Sequence, residues 1–399
     1  MGLNEVVSAE RIHIGFFGMR NAGKSSLVNS VTGQIVSVVS DVKGTTTDPV
    51  KKAMELLPLG PVVILDTPGL DDTGKLGLLR VERAKEMLSK TSIAVLVVDA
   101  SVGISDLDEE LTAELKERKI PYIVAYNKAD LLKERAPLKE NEIYVSASTL
   151  EGVNELKEML GRIAGDIKNP KILVSDLISC GDIVVLVTPI DASAPKGRLI
   201  LPQQMVLRDA LDMHAIPILC QPSELEDVLK SLGKKPRMVI TDSQAFGKVS
   251  KIVPKDIPLT SFSILMARYK GDLRELIKGA SVLKSIKDGD KVLISEGCTH
   301  HRQCNDIGTV KMPAWIEDYS KAKPQYRFTS GGEFPKDLSD FKVIVHCGGC
   351  MITEAEMKHR MSQAKADGVP IVNYGIAIAC MNGILKRSLE LFPDILSLL

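Results

Sequence analysis

The stretch GMRNAGKS, Gly18 to Ser25, decides the first part of the fold. It fits the pattern G-x-x-x-x-G-K-S/T and stands between an apolar run that predicts a strand and a segment with helical periodicity. The two glycines let backbone N–H groups curl around phosphate oxygens at the N-terminus of the helix that follows. The sequence therefore predicts a phosphate-binding loop whose contacts come from Gly18, Asn21, Ala22, Gly23, Lys24, Ser25 and Ser26.

Two side chains of this loop, and two later segments, predict a nucleotide held with Mg²⁺. The Lys24 ammonium supplies a point charge for the β- and γ-phosphates, and the Ser25 hydroxyl faces Mg²⁺. Asp66 ends the apolar run VVILD within DTPG, where its carboxylate would hold Mg²⁺ and the amide of Gly69 would contact the γ-phosphate. The segment GTTTD, residues 44–48, offers one more Mg²⁺ ligand, and Thr46 is the favoured residue.

Two further loops predict which base is bound. The segment NKAD, Asn127 to Asp130, closes another apolar run. The Asp130 carboxylate can accept hydrogen bonds from the N1–H and the amino group of guanine, whereas adenine presents no such donor pair. Ser146 and Ala147 follow the run EIYV and suit backbone contact to the guanine carbonyl. With Asn127 and Lys128 these residues predict GTP as the ligand.

The order of strands and helices predicts an α/β protein of three domains. Apolar runs alternate with amphipathic stretches along the whole chain, which favours parallel sheets with helical crossovers. At 399 residues the chain is too long for one ordinary domain. We predict a P-loop GTPase domain over 1–168, a smaller α/β domain over 169–262 and a third over 263–399.

Composition limits the partners. Lys and Arg total 51 and so do Asp and Glu, and this balance argues against a broad nucleic-acid surface, which needs clustered positive charge. No apolar run approaches the roughly 18 residues that a membrane helix needs, and the first residues lack the pattern of a secretory signal. We expect a cytoplasmic protein that binds neither nucleic acid nor membrane.

Cysteines cluster near the C-terminus. Cys298, His300 and Cys304 lie in CTHHRQC after the run KVLIS, and HCGGC, His346 to Cys350, follows the run KVIV. Parallel strands gather ligands beyond their carboxyl ends, so the two groups are expected at one edge. Cys298, Cys347 and Cys350 would supply three thiolates. The candidates for a fourth ligand are His300, His346, His301 and Cys304. The residues alone leave an iron–sulfur cluster and a structural zinc ion as alternatives of similar weight, with unligated cysteines as the third.

The five nucleotide loops resemble those of translation-factor-related GTPases, especially the TrmE and Era branch. Leu70 stands where Ras-like enzymes carry the glutamine that orients the attacking water, so unassisted turnover is expected on the order of 10⁻⁴ to 10⁻² s⁻¹. Asn21 matches the asparagine that, in TrmE-like relatives, helps hold K⁺ against the phosphates. An ordinary turn residue is the equally weighted alternative for Asn21.

When the C-x-H segment (Cys298 to His300) and the H-C-x-x-C segment (His346 to Cys350) are considered together with the nucleotide loops, the whole chain resembles the FeFe-hydrogenase maturation GTPases, the HydF family. The resemblance implies a 4Fe-4S cluster on Cys298, Cys347 and Cys350, with an open or histidine-bound fourth position. It also implies a homodimer formed by the middle domain, and a scaffold that receives a di-iron precursor from radical-SAM maturases and delivers it to apo FeFe-hydrogenase.

Two other functions remain open from the sequence: an RNA- or ribosome-acting GTPase with structural zinc, and an iron–sulfur redox sensor that gates GTP hydrolysis. The remaining cysteines, Cys180, Cys220 and Cys380, lie in apolar contexts and are expected to be core residues.

Overall fold

The computed structural model describes residues 11–33, 50–67, 86–167, 172–190, 199–297, 306–349 and 351–397. The chain divides into two compact units, Met1–Pro170 and Lys171–Leu399. Both units are built on sheets whose strands are joined by helical crossovers. The predicted α/β class, with a P-loop sheet followed by two further parallel-sheet domains, is confirmed.

The first unit contains a six-stranded sheet in the order β2-β3-β1-β4-β5-β6. All of its strand pairs are parallel except the edge pair β2–β3. Strand β2 was not foreseen from the sequence, because charged residues interrupt the apolar residues of VKKAMEL, as an edge strand tolerates. The strands are β1 Ile12–Phe17, β2 Val50–Leu56, β3 Gly60–Asp66, β4 Ile93–Asp99, β5 Tyr122–Asn127 and β6 Glu142–Tyr144.

The three long helices described in this unit cover the sheet. They bury apolar stripes against two core clusters, one on each face, and the central strands β1 and β4 contribute side chains to both clusters. A sheet buried on both faces needs nearly continuous apolar strands, which explains the runs read from the sequence. The helices are α1 Lys24–Thr32, α2 Asp106–Glu117 and α3 Val153–Ile167.

The second unit contains two four-stranded parallel sheets, in the orders β10-β9-β7-β8 and β12-β11-β13-β14. The short β10 and the half-polar edge strand β12 were not foreseen, because neither carries a clear apolar run. The strands are β7 Ile183–Val187, β8 Ile216–Cys220, β9 Met238–Thr241, β10 Leu259–Ser261, β11 Lys291–Glu296, β12 Gln325–Ser330, β13 Val343–His346 and β14 Ile371–Asn373.

The helices of the second unit pack so that both sheets share one hydrophobic core. The helical periodicity of residues 264–286 is divided between two helices in the structure. Gly271 has an extended backbone (φ −128°, ψ −159°) that ends α7. Asp272 then caps α8 by accepting from the backbone N–H groups of Arg274 and Glu275. The helices are α4 Leu201–Asp212, α5 Leu225–Ser231, α6 Phe246–Ile252, α7 Phe262–Lys270, α8 Leu273–Val282, α9 Met312–Ser320, α10 Glu354–Ala366, α11 Tyr374–Met381, α12 Leu385–Ser388 and α13 Pro393–Leu396.

None of the described helices combines the length and apolar character that crossing a bilayer requires.

Candidate functional site

The phosphate-binding loop joins β1 to α1. Gly18 (φ +138°) and Gly23 (φ +83°) adopt backbone conformations that side chains disfavour. A Cβ at Gly18 would also lie 2.1 Å from the Val97 carbonyl oxygen. The buried Lys24 ammonium donates to the backbone carbonyls of Gly18 at 2.9 Å and Met19 at 2.7 Å. The lysine therefore lies within the loop, and α1 begins without a side-chain cap on its N–H groups.

The predicted Mg²⁺ ligands of the described residues meet beside this loop. The Ser25 hydroxyl donates to Oδ2 of Asp66 at 2.9 Å. The other oxygen, Asp66 Oδ1, is buried and has no hydrogen-bond partner within the described part of the chain. A buried carboxylate oxygen without a donor is costly. A carboxylate oxygen of this kind is a suitable ligand for Mg²⁺, or a hydrogen-bond acceptor for a water molecule bound to Mg²⁺.

Asn127 joins the phosphate loop to the base-recognition loops. Its Nδ2 donates to the Ala22 carbonyl at 2.9 Å, and its Oδ1 accepts from the Ala147 N–H at 3.1 Å. A Cβ at Gly23 would lie 2.3 Å from the same Nδ2, so only glycine fits this approach. Three of the predicted segments, far apart in sequence, therefore meet at one side chain.

The remaining base-contacting residues lie around the end of β5. A hydrogen bond from Ser146 holds the pKa of the exposed Asp130 below its ordinary value. The ionised carboxylate can accept hydrogen bonds from a nucleotide base. Lys128 has a left-handed backbone (φ +65°), and its ammonium pairs with Asp99 at 2.6 Å. Asp99 was overlooked in the sequence, although its place at the carboxyl end of the central strand β4 was a usable signal.

Asn21 also adopts a left-handed backbone (φ +62°) and is exposed, and Ser26 lies in the first turn of α1. Several predicted residues lie outside the described residues: Thr46, Gly69, Leu70, Cys298, His300, His301, Cys304 and Cys350.

Cys347 lies at the carboxyl edge of the last sheet, where β11 and β13 are neighbours and Ser295 is in register with His346. The Cys347 Sγ accepts from the backbone N–H of Gly297 at 3.0 Å and of Gly349 at 3.4 Å. Gly297 is bonded directly to Cys298, and Gly349 to Cys350. The residues that precede the other two predicted ligands therefore contact the thiol of the third.

His346 is fully engaged in this structure. Its Nδ1–H donates to the Cys347 carbonyl at 2.7 Å, and Nε2 lies 3.0 Å from the Arg360 guanidinium, which can only donate. Burial, with Arg360 as the second cause, lowers the pKa of His346 to about 4. The ring is neutral and both nitrogens have partners, so coordination of a metal by His346 would require one of these hydrogen bonds to break.

Arg360 is the residue at this edge that the sequence analysis missed. It has no exposed surface and forms an ion pair with Glu356 at 2.9 Å. It also donates to the Ser295 hydroxyl at 3.3 Å and the Gly331 carbonyl at 2.8 Å. One guanidinium thus joins the ends of three neighbouring strands, and no local pattern in helix α10 signals this role.

The other cysteines differ from one another. Cys220 is buried, and burial raises its thiol pKa to about 11. Cys380 is partly buried, but Cys180 is exposed, so the prediction that it belongs to the core was wrong. Cys180 lies in the turn that precedes β7, and its side chain is exposed to solvent. Over the described ranges no three His, Cys, Asp or Glu side chains form a metal-binding group.

Comparison with known proteins identifies the two halves of the chain. Residues 173–271 match the hydrogen maturase F dimerization domain, and residues 274–391 match the hydrogen maturase F tetramerization domain. Residues 13–128 match a family described as 50S ribosome-binding GTPase. The chain belongs to the hydrogen maturase F family. The first unit of this family member is a TrmE-like GTPase domain, and the matches after residue 172 favour hydrogenase maturation over the RNA-acting alternative.

Curated relatives of this hydrogen maturase F chain share its GTPase portion. GTPase Der of Kosmotoga olearia is 33% identical over 191 residues, which are 43% of each chain. The tRNA modification GTPase MnmE of Legionella pneumophila is 36% identical over 164 residues, covering 40% of this chain and 36% of its own. The chain thus spans less than half the length of these relatives. A solved structure of Aquifex aeolicus Era is 17% identical and covers 80% of this chain and 93% of its own with a TM-score of 0.35, too low to support an argument.

Proposed function

We propose that the chain is a slow GTPase that carries a 4Fe-4S cluster and acts as a scaffold for the di-iron precursor of the FeFe-hydrogenase active site. In this proposal radical-SAM maturases supply the precursor and apo FeFe-hydrogenase receives it, in the cytoplasm. The observation that carries the proposal is the 3.0 Å hydrogen bond from Gly297 N–H to Cys347 Sγ. It brings the residue before Cys298 against the thiol of Cys347, in a chain that also has the complete set of guanine-nucleotide loops.

The GTPase residues have distinct tasks in this proposal. The Lys24 ammonium, now bonded to loop carbonyls, exchanges those bonds for phosphate oxygens as the nucleotide enters. Ser25 and Asp66, with Thr46, would hold Mg²⁺, which neutralises charge on the phosphates. Gly69 would contact the γ-phosphate through its amide. Asn21 is the residue that would hold a K⁺ ion.

The cluster residues fit an anionic group. Cys347 accepts two backbone N–H groups, and such hydrogen bonds stabilise a thiolate and tune a cluster held by it. Cys298, Cys347 and Cys350 would hold three irons, with His300 or His346 as a fourth, exchangeable ligand. The bound cluster supplies an iron with a replaceable ligand, to which a precursor can attach. The backbone N–H groups of Gly297 and Gly349 fix the position of the Cys347 sulfur, and the neighbouring His346 is buried.

Anaerobic reconstitution with iron and sulfide tests the cluster assignment. We expect about four irons and four acid-labile sulfides per chain, with a cubane electron paramagnetic resonance signal on reduction. Cys347→Ala should lose both, because one of three thiolates is gone. Cys180→Ala and Cys220→Ala remove an exposed and a buried cysteine outside these loops and should keep both. Lys24→Ala should also keep the cluster.

Stoichiometric zinc without acid-labile sulfide in the wild-type protein would show that the cluster proposal is wrong. Retention of a full cluster by Cys347→Ala would contradict the ligand assignment.

Self-association is the second part of the proposal, and β8 is the surface that we assign to it. It is an outer strand of its sheet, and Ile216 and Leu219 on it are 52% and 39% exposed. Leu211, at the end of α4, is 50% exposed. An apolar edge strand is open to pairing with another chain. In a twofold homodimer the same strand of a second copy would meet it, which also agrees with the dimerization family model over 173–271.

Ile216→Lys is expected to raise the dissociation constant of the dimer at least ~10-fold, because two like charges would meet at a twofold contact. Sedimentation equilibrium measures this change. Val102→Lys is the control, since Val102 is 79% exposed but belongs to the GTPase unit. An unchanged dissociation constant for Ile216→Lys would exclude β8 as the contact.

A further inference from the structure

The cysteine loop, residues 347–352 after β13, is contacted by a buried lysine at the end of helix α7. Lys270, the last residue of α7, is 2% exposed. Its ammonium donates to the Gly349 carbonyl at 3.2 Å and to the Ile352 carbonyl at 3.0 Å. These two carbonyls lie on either side of Cys350 in the chain. A buried ammonium is unfavourable unless it is hydrogen-bonded, so Lys270 and the loop hold each other in place.

The described residues of this loop, 347–349, 351 and 352, belong to neither a strand nor a helix, and Gly349 has a left-handed backbone (φ +64°). Their carbonyls therefore depend on partners outside a regular ladder. The Gly349 carbonyl accepts from the Ile352 N–H at 3.3 Å as well as from Lys270. The Gly349 N–H contacts the Cys347 Sγ at 3.4 Å while its carbonyl accepts from Lys270. A single peptide segment therefore connects the buried cation to the thiol.

Lys270 lies in the segment that matches the dimerization family model, residues 173–271, called here the middle module, although the sequence predicted a domain boundary at residue 262. Helix α7 follows β10, and Ser261 caps it by accepting from the Ile264 N–H. The dimerization family model ends at residue 271, just beyond Lys270, and the tetramerization model begins at residue 274. The contact thus joins the middle module to the loop that carries two of the three predicted cluster ligands, which lies within the tetramerization match.

We propose that Lys270 is a positioning residue through which the middle module orders the loop over 347–352, and that its positive charge favours the reduced form of the group bound there. The charge component rests on the proposed cluster. One-electron reduction of a thiolate-held cluster adds one negative charge. A buried cation nearby stabilises that charge, and so raises the midpoint potential.

The positioning component is tested in cluster-free protein. Lys270→Met keeps the length of the side chain but removes its donors and its charge. Hydrogen–deuterium exchange of the peptide covering 347–353 is expected to become at least ~10-fold faster, since the loop loses a hydrogen-bonded support. Lys278→Met, on the exposed face of α8, is the matched control and should exchange like wild type. Equal exchange in Lys270→Met and wild type would overturn the proposal.

The charge component is tested in reconstituted protein by dithionite titration. The midpoint potential of Lys270→Met should be more negative than that of wild type and of Lys278→Met. Lys270→Gln, which keeps an NH2 donor group without charge, should show the same negative shift with a smaller change in loop exchange. If Lys270→Met does not fold, Lys270→Gln takes its place in both tests.

The two proposals fail in different ways. If wild type takes up no cluster, the proposed function fails, and loop exchange alone decides the role of Lys270. If wild type takes up the cluster and neither variant shifts the potential, the charge component is wrong.

Discussion

Replacing Arg360 by methionine is expected to lower the free energy of unfolding of the C-terminal unit by about 3–5 kcal/mol, because one partner of a buried ion pair is removed. Glu356 is only 4% exposed and would remain as a buried carboxylate without its guanidinium. The Gly331 carbonyl and the His346 Nε2 would lose their donor as well. The guanidinium also lies 4.9 Å from the ring centre of Phe334, so packing is lost too.

Denaturant unfolding followed by tryptophan fluorescence measures this effect. The chain has one tryptophan, Trp315, and it packs against the core of the second unit. Arg327→Met is the control, because Arg327 is an exposed arginine on β12 of the same sheet, and a change within about 0.5 kcal/mol is expected.

The double variant Arg360→Met with Glu356→Met separates charge from packing. If the uncompensated carboxylate causes the loss, the double variant is more stable than Arg360→Met alone, since both charges are then absent. Equal denaturation midpoints for Arg360→Met and Arg327→Met would contradict the role assigned to this ion pair.

Lys24→Ala is expected to lower the turnover number for GTP about 100- to 1,000-fold, the loss typical of removing one preorganised donor from a developing charge. The Lys24 ammonium is buried within the loop against two of its carbonyls, and it would exchange those bonds for phosphate oxygens when the nucleotide binds. An alanine would leave those carbonyls facing the phosphates without a cation between them. Nucleotide affinity should fall as well.

Single-turnover hydrolysis at saturating GTP separates the effect on chemistry from the effect on binding. Lys116→Ala, on the exposed side of α2, is the control and should hydrolyse GTP like wild type. Wild-type turnover by Lys24→Ala would remove this lysine from the catalytic set.

Much of the first unit could be predicted because its motifs are local. Gly18, Gly23 and Lys24 lie within one short loop, and the loop conformation follows from glycine at two positions. Buried parallel strands read as continuous apolar runs, so β1, β3, β4 and β5 were recognised from the sequence. Edge strands β2 and β12 were not predicted, because strands exposed on one side carry polar residues that interrupt the apolar run.

His346 shows what a motif leaves open. A histidine beside C-x-x-C looks like a metal ligand in sequence, yet here Arg360 occupies its Nε2. The arginine lies 14 residues away on a helix, and a side chain on that helix could equally have faced solvent. Only the packing of α10 over the strand ends directs it inward.

The sequence by itself predicted a guanine-nucleotide-binding domain and mainly parallel sheets, since each nucleotide loop is a short motif and each buried strand is a continuous apolar run. The tertiary structure decided what surrounds the cysteine loop. Lys270 and Ile352 are 82 residues apart, and they meet because α7 packs against α10, the helix that follows the cysteine loop. Contacts at such separation depend on strand order and helix packing, which no local pattern of side chains specifies.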